Sequence, residues 1–214
     1  MTTAPDASPA PRVRPPKQAR SRAALQRLLT SAEQVLVNGG LDEFTIARVA
    51  EHAEVSVGGV YRRFENKEQL IEAVRRELQT RLDEAISDAL TTPRPSLAAV
   101  VTSFTVALSE ILSDSGQVIP VILAGGHSAT PPQERVEGVA KLQRQFADAI
   151  APHRNEIHHP DPDTALNIAF RSVLANSVHR AAIAPWWSDG LSWNQWAAEM
   201  ATMTTAYLTA PGIT

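Results

Sequence analysis

Apolar positions recur along this chain at helical spacing, and their pattern is tightest between residues 44 and 67. Ile46, Val49, Ala50 and Ala53 fall at i, i+3, i+4 and i+7, which predicts a short one-faced helix that Thr45 can cap. Ser56 is the next capping residue, and Val57, Val60, Tyr61 and Phe64 then give a second apolar face barely two turns long. Asn66 caps a third helix, with Gln69 three residues on as its reciprocal partner. Two short helices joined by about three residues form a helix-turn-helix.

The flanking segments follow the same period. Leu25, Leu28, Leu29, Ala32, Val35 and Leu36 predict a helix over about 20–38, with Gly39 able to take the left-handed C-terminal position. After Asn66, a long face of Leu70, Ile71, Val74, Leu78, Leu82 and Ile86 predicts a helix that joins the N-terminal head to the rest. Pro93 and Pro95 break the pattern, and Ser96 starts a helix that buries Leu97, Val100, Val101, Phe104, Leu108, Ile111 and Leu112. A short helix over about 117–124, a loop over 130–132 and a helix over 133–150 come next, then a polar loop over 151–162. The last two helices are expected over 162–184 and 192–209, the second opened by a Ser192–Gln195 capping box. The fold class is therefore all-α with about nine helices.

Composition narrows the function without naming it. There is no cysteine in the 214 residues, which excludes disulfides, thiolate catalysis and thiolate metal sites. No signal-peptide core and no run near the ~18 apolar residues of a spanning helix are evident, so the expectation is a cytoplasmic protein with no membrane partner. The net charge of −3 hides an asymmetry: 12 Lys and Arg stand against 10 Asp and Glu through residue 78, and 8 against 13 beyond it. Arg12, Arg14, Lys17, Arg20, Arg22 and Arg27 have no acidic residue among them, as expected of an arm lying beside DNA or of a solvated tail. Five prolines make residues 1–18 extended. His153, His158 and His159 with Glu156, Asp161 and Asp163 match no metal-site spacing and read as a wet loop. No metal, cofactor or catalytic set is expected, so the chain is not read as an enzyme.

Residues 19–70 resemble the DNA-binding domain of the TetR family of transcriptional regulators. The resemblance is carried by Thr45, the core of 46–50, Ala53, Val55, Ser56, Tyr61, Phe64, Asn66 and Lys67, behind a first helix ending at Gly39 and Gly40. It implies three parts: a disordered tail over 1–18, a three-helix DNA-binding domain over 19–66, and a helical effector-binding and dimerisation domain over 67–214. By resemblance, Thr45, Tyr61, Arg62 and Lys67 contact phosphates, the last near a helix N-terminus whose amides add attraction. Val57, Gly58, Gly59 and Arg63 form the base-reading side of the second short helix, with Ser56 at its start also a DNA-binding candidate and Arg48 nearby as a further phosphate or base contact. The two C-terminal helices would pair in a homodimer, and two copies would read a palindrome in double-stranded DNA. A small-molecule effector of unknown identity would release this repressor from its operator.

Three positions depart from the family's pattern. Gly59 stands where many relatives carry Thr, Ala47 where a polar residue can occur, and Glu54 where Gly usually makes the turn. A residue other than glycine there takes positive φ at a cost of about 1 kcal/mol, and Glu54 could face solvent or pair with Arg62 or Arg63. The paired glycines Gly58 and Gly59 indicate either close backbone approach to bases or a helix that orders only on binding. Candidate effector contacts such as Phe104, Leu108, Val121, Phe146, Phe170 and Trp186 read first as ordinary core. The alternative reading is a helical protein-interaction module with a degenerate DNA-binding head.

Overall fold

A computed structural model describes residues 17–115, 118, 132–183 and 186–211. Among these the chain is helical: α1 (Lys17–Glu43), α2 (Ile46–His52), α3 (Val57–Tyr61), α4 (Lys67–Thr91), α5 (Leu97–Ser115), α6 (Pro132–Ile150), a 3₁₀ turn (Ala151–Glu156), α7 (Pro162–Ile183) and α8 (Trp193–Thr209). The expected tail up to residue 16, the short helix over 117–124 apart from Val118, the loop before Pro132 and the candidate contact Val121 lie outside the described residues.

Two apolar cores divide the molecule. In the head, Leu28, Leu29, Ala32, Val35 and Leu36 of α1 close over Phe44, Val49, Val60 and Phe64, and over Leu70 and Val74 of α4. In the body, Leu78 and Ile86 of the same α4 join α5, α6, α7 and α8 around Phe104, Phe146 and Phe170. These three rings lie 4.7, 5.6 and 6.1 Å apart, within the range of tilted aromatic contacts. Phe104, Leu108, Phe146 and Phe170 are thus core, and Trp186 is 80% exposed.

α5 is the element, among the described residues, that tests the expectation of no membrane-spanning run. It is long and apolar enough to cross a membrane by length and composition, yet half of it is buried, packed chiefly along α8 and α4. Its apolar character follows from having neighbours on several sides rather than one. Small buried groups, Thr105 and Ser109 on α5 with Ala197, Ala201 and Thr204 on α8, suit close helix packing.

Head and body are joined by a half-buried polar junction. The Arg81 guanidinium of α4 donates to both carboxylate oxygens of Glu33 on α1, at 2.7 and 2.8 Å, and the Ser115 hydroxyl at the end of α5 donates to Glu33 at 2.9 Å. Val118, fully buried, belongs to the head's core.

Several local expectations shift. The left-handed glycine ending α1 is Gly40 (φ 61°) rather than Gly39, and residues 41–43 continue beyond that kink. α1 starts at Lys17, inside the expected tail. The segment after Ile150 turns as a 3₁₀ helix where a loop was expected. The histidines there do not converge on a metal: His153 Nε2 meets the Arg94 carbonyl at 2.9 Å, His158 Nδ1 the Thr209 carbonyl at 2.7 Å, and the Asp161 amide donates to His159 Nδ1 at 3.0 Å. Asp161 instead caps α7, accepting from the Thr164 hydroxyl at 2.6 Å and amide at 3.1 Å, and these bonds hold its carboxyl below the ordinary aspartate value. The Ser192–Gln195 capping box is present as expected. Trp193 and Trp196 meet edge to face at 5.8 Å, and both rings approach the Arg180 guanidinium, at 4.7 and 5.5 Å.

Phe146→Ala, which empties one corner of the aromatic trio, should cost about 3–5 kcal/mol in urea unfolding. Asp161 has a lowered folded-state pKa, so its contribution is present above about pH 4 and is lost as pH falls through that lowered value. Asp161→Ala should therefore lower the melting temperature at neutral pH, and the gap to the parent should close in acid.

Candidate nucleic-acid interface

Three side-chain caps set where the head's helices begin. Thr45 Oγ1 accepts from the Arg48 amide at 3.2 Å, Ser56 Oγ from the Gly59 amide at 3.0 Å, and Asn66 Oδ1 from the Gln69 amide at 2.8 Å. The reciprocal bond expected of Gln69 falls one residue early, on the Glu65 amide at 3.0 Å. Each capping hydroxyl acts as an acceptor here, so its proton stays available to a phosphate.

The turn between α2 and α3 is a complete Schellman motif. The Glu54 amide donates to the Glu51 carbonyl at 3.1 Å and the Val55 amide to the Ala50 carbonyl at 2.9 Å, which places Glu54 at the left-handed position with φ 55°. Its side chain is exposed and forms no ion pair with Arg62 or Arg63 among the described residues.

α3 is anchored by Val60, which is fully buried. The opposite side is bare: Val57 is 43% and Tyr61 54% exposed, and Gly58 lies with them. A Cβ at Gly58 would meet nothing within 4 Å, so its absence answers no packing need inside the protein. A Cβ at Gly59 would come within 3.1 Å of the Ser56 capping oxygen, so this glycine accommodates the cap. The open space at Gly58 fits close approach by an external surface.

The cations around α3 are held in different ways. Arg62 is exposed and without an ion-pair partner among the described residues. Arg63 reaches back to α1, donating to the Ser21 hydroxyl at 3.2 Å and carbonyl at 3.4 Å. Arg48 pairs with Glu43. Lys67, the first residue of α4, donates from Nζ to the Leu41 carbonyl at 2.8 Å and lies 5.7 Å from the Phe44 ring centroid. The structure thus brings Val57, Gly58 and Tyr61 onto one exposed side of α3 and ties Arg48 and Lys67 to the end of α1. Glu43, Leu41 and Ser21 escaped the sequence reading. The Gly39–Gly40 pair hinted at the first two, whereas a contact between Ser21 and Arg63, 42 residues apart, leaves no local signal.

A short, capped, outward-facing helix on a small head, joined by α4 to a helical body, is the architecture of a DNA-binding regulator. Residues 28–74 match the family model of bacterial regulatory proteins of the tetR family. The whole chain is similar in fold to a tetR-family regulatory protein from Rhodococcus RHA1 (TM-score 0.69, 18% identity, covering 88% of this chain and 98% of that one). It is also similar to the ketosteroid transcriptional regulator KstR2 of Mycobacterium tuberculosis (0.66, 16%, 86% and 95%) and to the fatty acid degradation regulator FadR from Bacillus halodurans (0.63, 13%, 85% and 97%). No curated protein sequence matches the chain. Residues 28–74 thus match the tetR-family domain, and the chain as a whole has the fold of the tetR-family transcriptional regulators it is similar to.

Glu54→Gly relieves the left-handed backbone at some cost in unfolded-state entropy, so urea unfolding should show a gain of about 0.5–1 kcal/mol.

Proposed function

We propose that the protein is a dimeric, ligand-responsive repressor that occupies a palindromic operator through α3. The observation that carries this reading is the two-sidedness of α3: Val60 is locked in the head's core while Val57, Gly58 and Tyr61 face outward beside Arg62. In this reading Val57 meets a thymine methyl, Gly58 and Gly59 allow the backbone close to the base edges, and Arg63 exchanges its Ser21 contacts for a guanine edge. Thr45, Ser56, Tyr61, Arg62 and Lys67 hold phosphates, with Arg48 close by. One such helix contacts too few base pairs to select a genomic site, so two copies are needed.

Pairing is supported by what α7 and α8 leave uncovered. Ile168 on α7 and Met203 and Tyr207 on α8 are exposed apolar side chains, interspersed with the exposed small residues Ala175, Ala198 and Ala206. Such faces suit a four-helix bundle across a two-fold axis. The effector would act from the helical body, by favouring a state in which α4 holds the two heads at a spacing that mismatches the operator. Regulators with this fold that are named for ketosteroids and for fatty acid degradation give that part of the reading its support.

The test is gel-shift with DNA flanking the protein's own gene, together with its mass in solution. Salt-sensitive, sequence-selective retention by a dimer is expected. A monomer, or no retention in dilute buffer, would favour the interaction-module reading instead. Arg62→Ala should weaken binding to all duplexes alike and reduce the slope of log affinity against log salt by about 0.9, the loss of one phosphate contact.

A further inference from the structure

Both cations at the end of α1 are held by one short turn. Gly40, with φ 61° and ψ −164°, breaks α1, and residues 41–43 follow as a separate turn. A Cβ at Gly39 would lie 2.7 Å from both Cβ and Oε2 of Glu43, so the Glu43 side chain folds back across a position that only glycine leaves open. From there its carboxylate takes the Arg48 guanidinium of α2. Two residues earlier, the Leu41 carbonyl accepts from Lys67 of α4 at 2.8 Å, with the Phe44 ring against the same ammonium.

The two arrangements differ in charge. Lys67 is steered by a neutral carbonyl and an aromatic face, so it keeps its full charge and two further N–H donors for a phosphate. Arg48 is bound to a carboxylate, the side-chain group closest to a phosphate in charge and in acceptor geometry. An arginine that stays paired in this way neutralises no phosphate and so displaces no counterion from a duplex, and if it did change partner, the freed carboxylate would repel the phosphate.

We propose that Glu43 is a positioning residue that occupies Arg48 as an internal substitute for a phosphate, withholding it from DNA of arbitrary sequence. Lys67 then serves any duplex. Arg48 contributes only where the local path of the backbone lets a phosphate replace the carboxylate, so the Gly39–Glu43 turn raises discrimination by lowering background affinity. This rests on the duplex-binding reading above.

The experiment is a salt titration of binding to a fluorescently labelled random-sequence duplex by the full-length parent, Glu43→Gln, Asp42→Asn, Arg48→Ala and Glu43→Gln/Arg48→Ala. Asp42 is an exposed neighbour with no ion pair among the described residues, so its substitution removes the same charge without freeing Arg48. Glu43→Gln should bind about threefold more tightly at low salt, the scale of one exposed ion pair. Its salt slope should steepen by about 0.9. Asp42→Asn should do much less, and the gain should vanish in the Arg48→Ala background. Unchanged or weaker binding by Glu43→Gln that melts like the parent overturns the proposal. So does a gain that persists without Arg48, since the effect would then be bulk charge alone. A parent that retains no duplex even in dilute buffer overturns the duplex-binding reading as well, and that outcome is recognisable before any variant is compared.

Discussion

Sharing of α4 between two cores is the constraint on which the molecule depends. Leu70 and Val74 are buried in the head's core, where α4 packs on α1, whereas Leu78 and Ile86 are buried in the body's core. The change of partner occurs within about one turn of a continuous helix, and an α-helix resists bending because each turn is tied to the next by backbone hydrogen bonds. The pitch of the head is therefore set by how α4 sits among α5 and α6 rather than by a flexible linker.

The Arg81–Glu33–Ser115 junction adds a second tie at the same level. One partner comes from each of α4, α1 and α5, so a shift of any of the three helices strands a half-buried carboxylate or guanidinium. Burial makes such a loss costlier than that of a surface pair, because the stranded charge is poorly solvated. Val118, packed into the head's core from beyond α5, reinforces the tie with apolar contact. A head mounted in this way can change its tilt only if the body itself rearranges.

At the tip of the head, local chemistry has the greater say. α3 has five residues, too few to be stable as an isolated helix, and persists because Ser56 caps one end and Val60 pins its middle to the core. The Schellman turn before it forms despite a glutamate at the left-handed position, so the packing on either side outweighs about 1 kcal/mol of backbone cost.

The helices, the Thr45, Ser56, Asn66 and Ser192 caps and the bridging role of α4 were legible in the sequence, because capping and amphipathic period are interactions between residues three or four apart. The same locality explains the misses. Gly39 and Gly40 are equivalent to a pattern, and only the backbone shows that Gly40 takes positive φ while Gly39 makes room for Glu43. α5 reads as one apolar helix, and only its burial among several neighbours distinguishes a core element from a spanning one. The charge state of the candidate interface lies further out of reach. Arg48, Arg63 and Lys67 look alike in sequence, yet one meets a carboxylate, one a serine and one a backbone carbonyl. The amino-acid order determined which helices form and where they start. Tertiary structure decided how the cations are held, because Ser21 and Leu41 lie 42 and 26 residues from Arg63 and Lys67 and meet them only after the helices have packed.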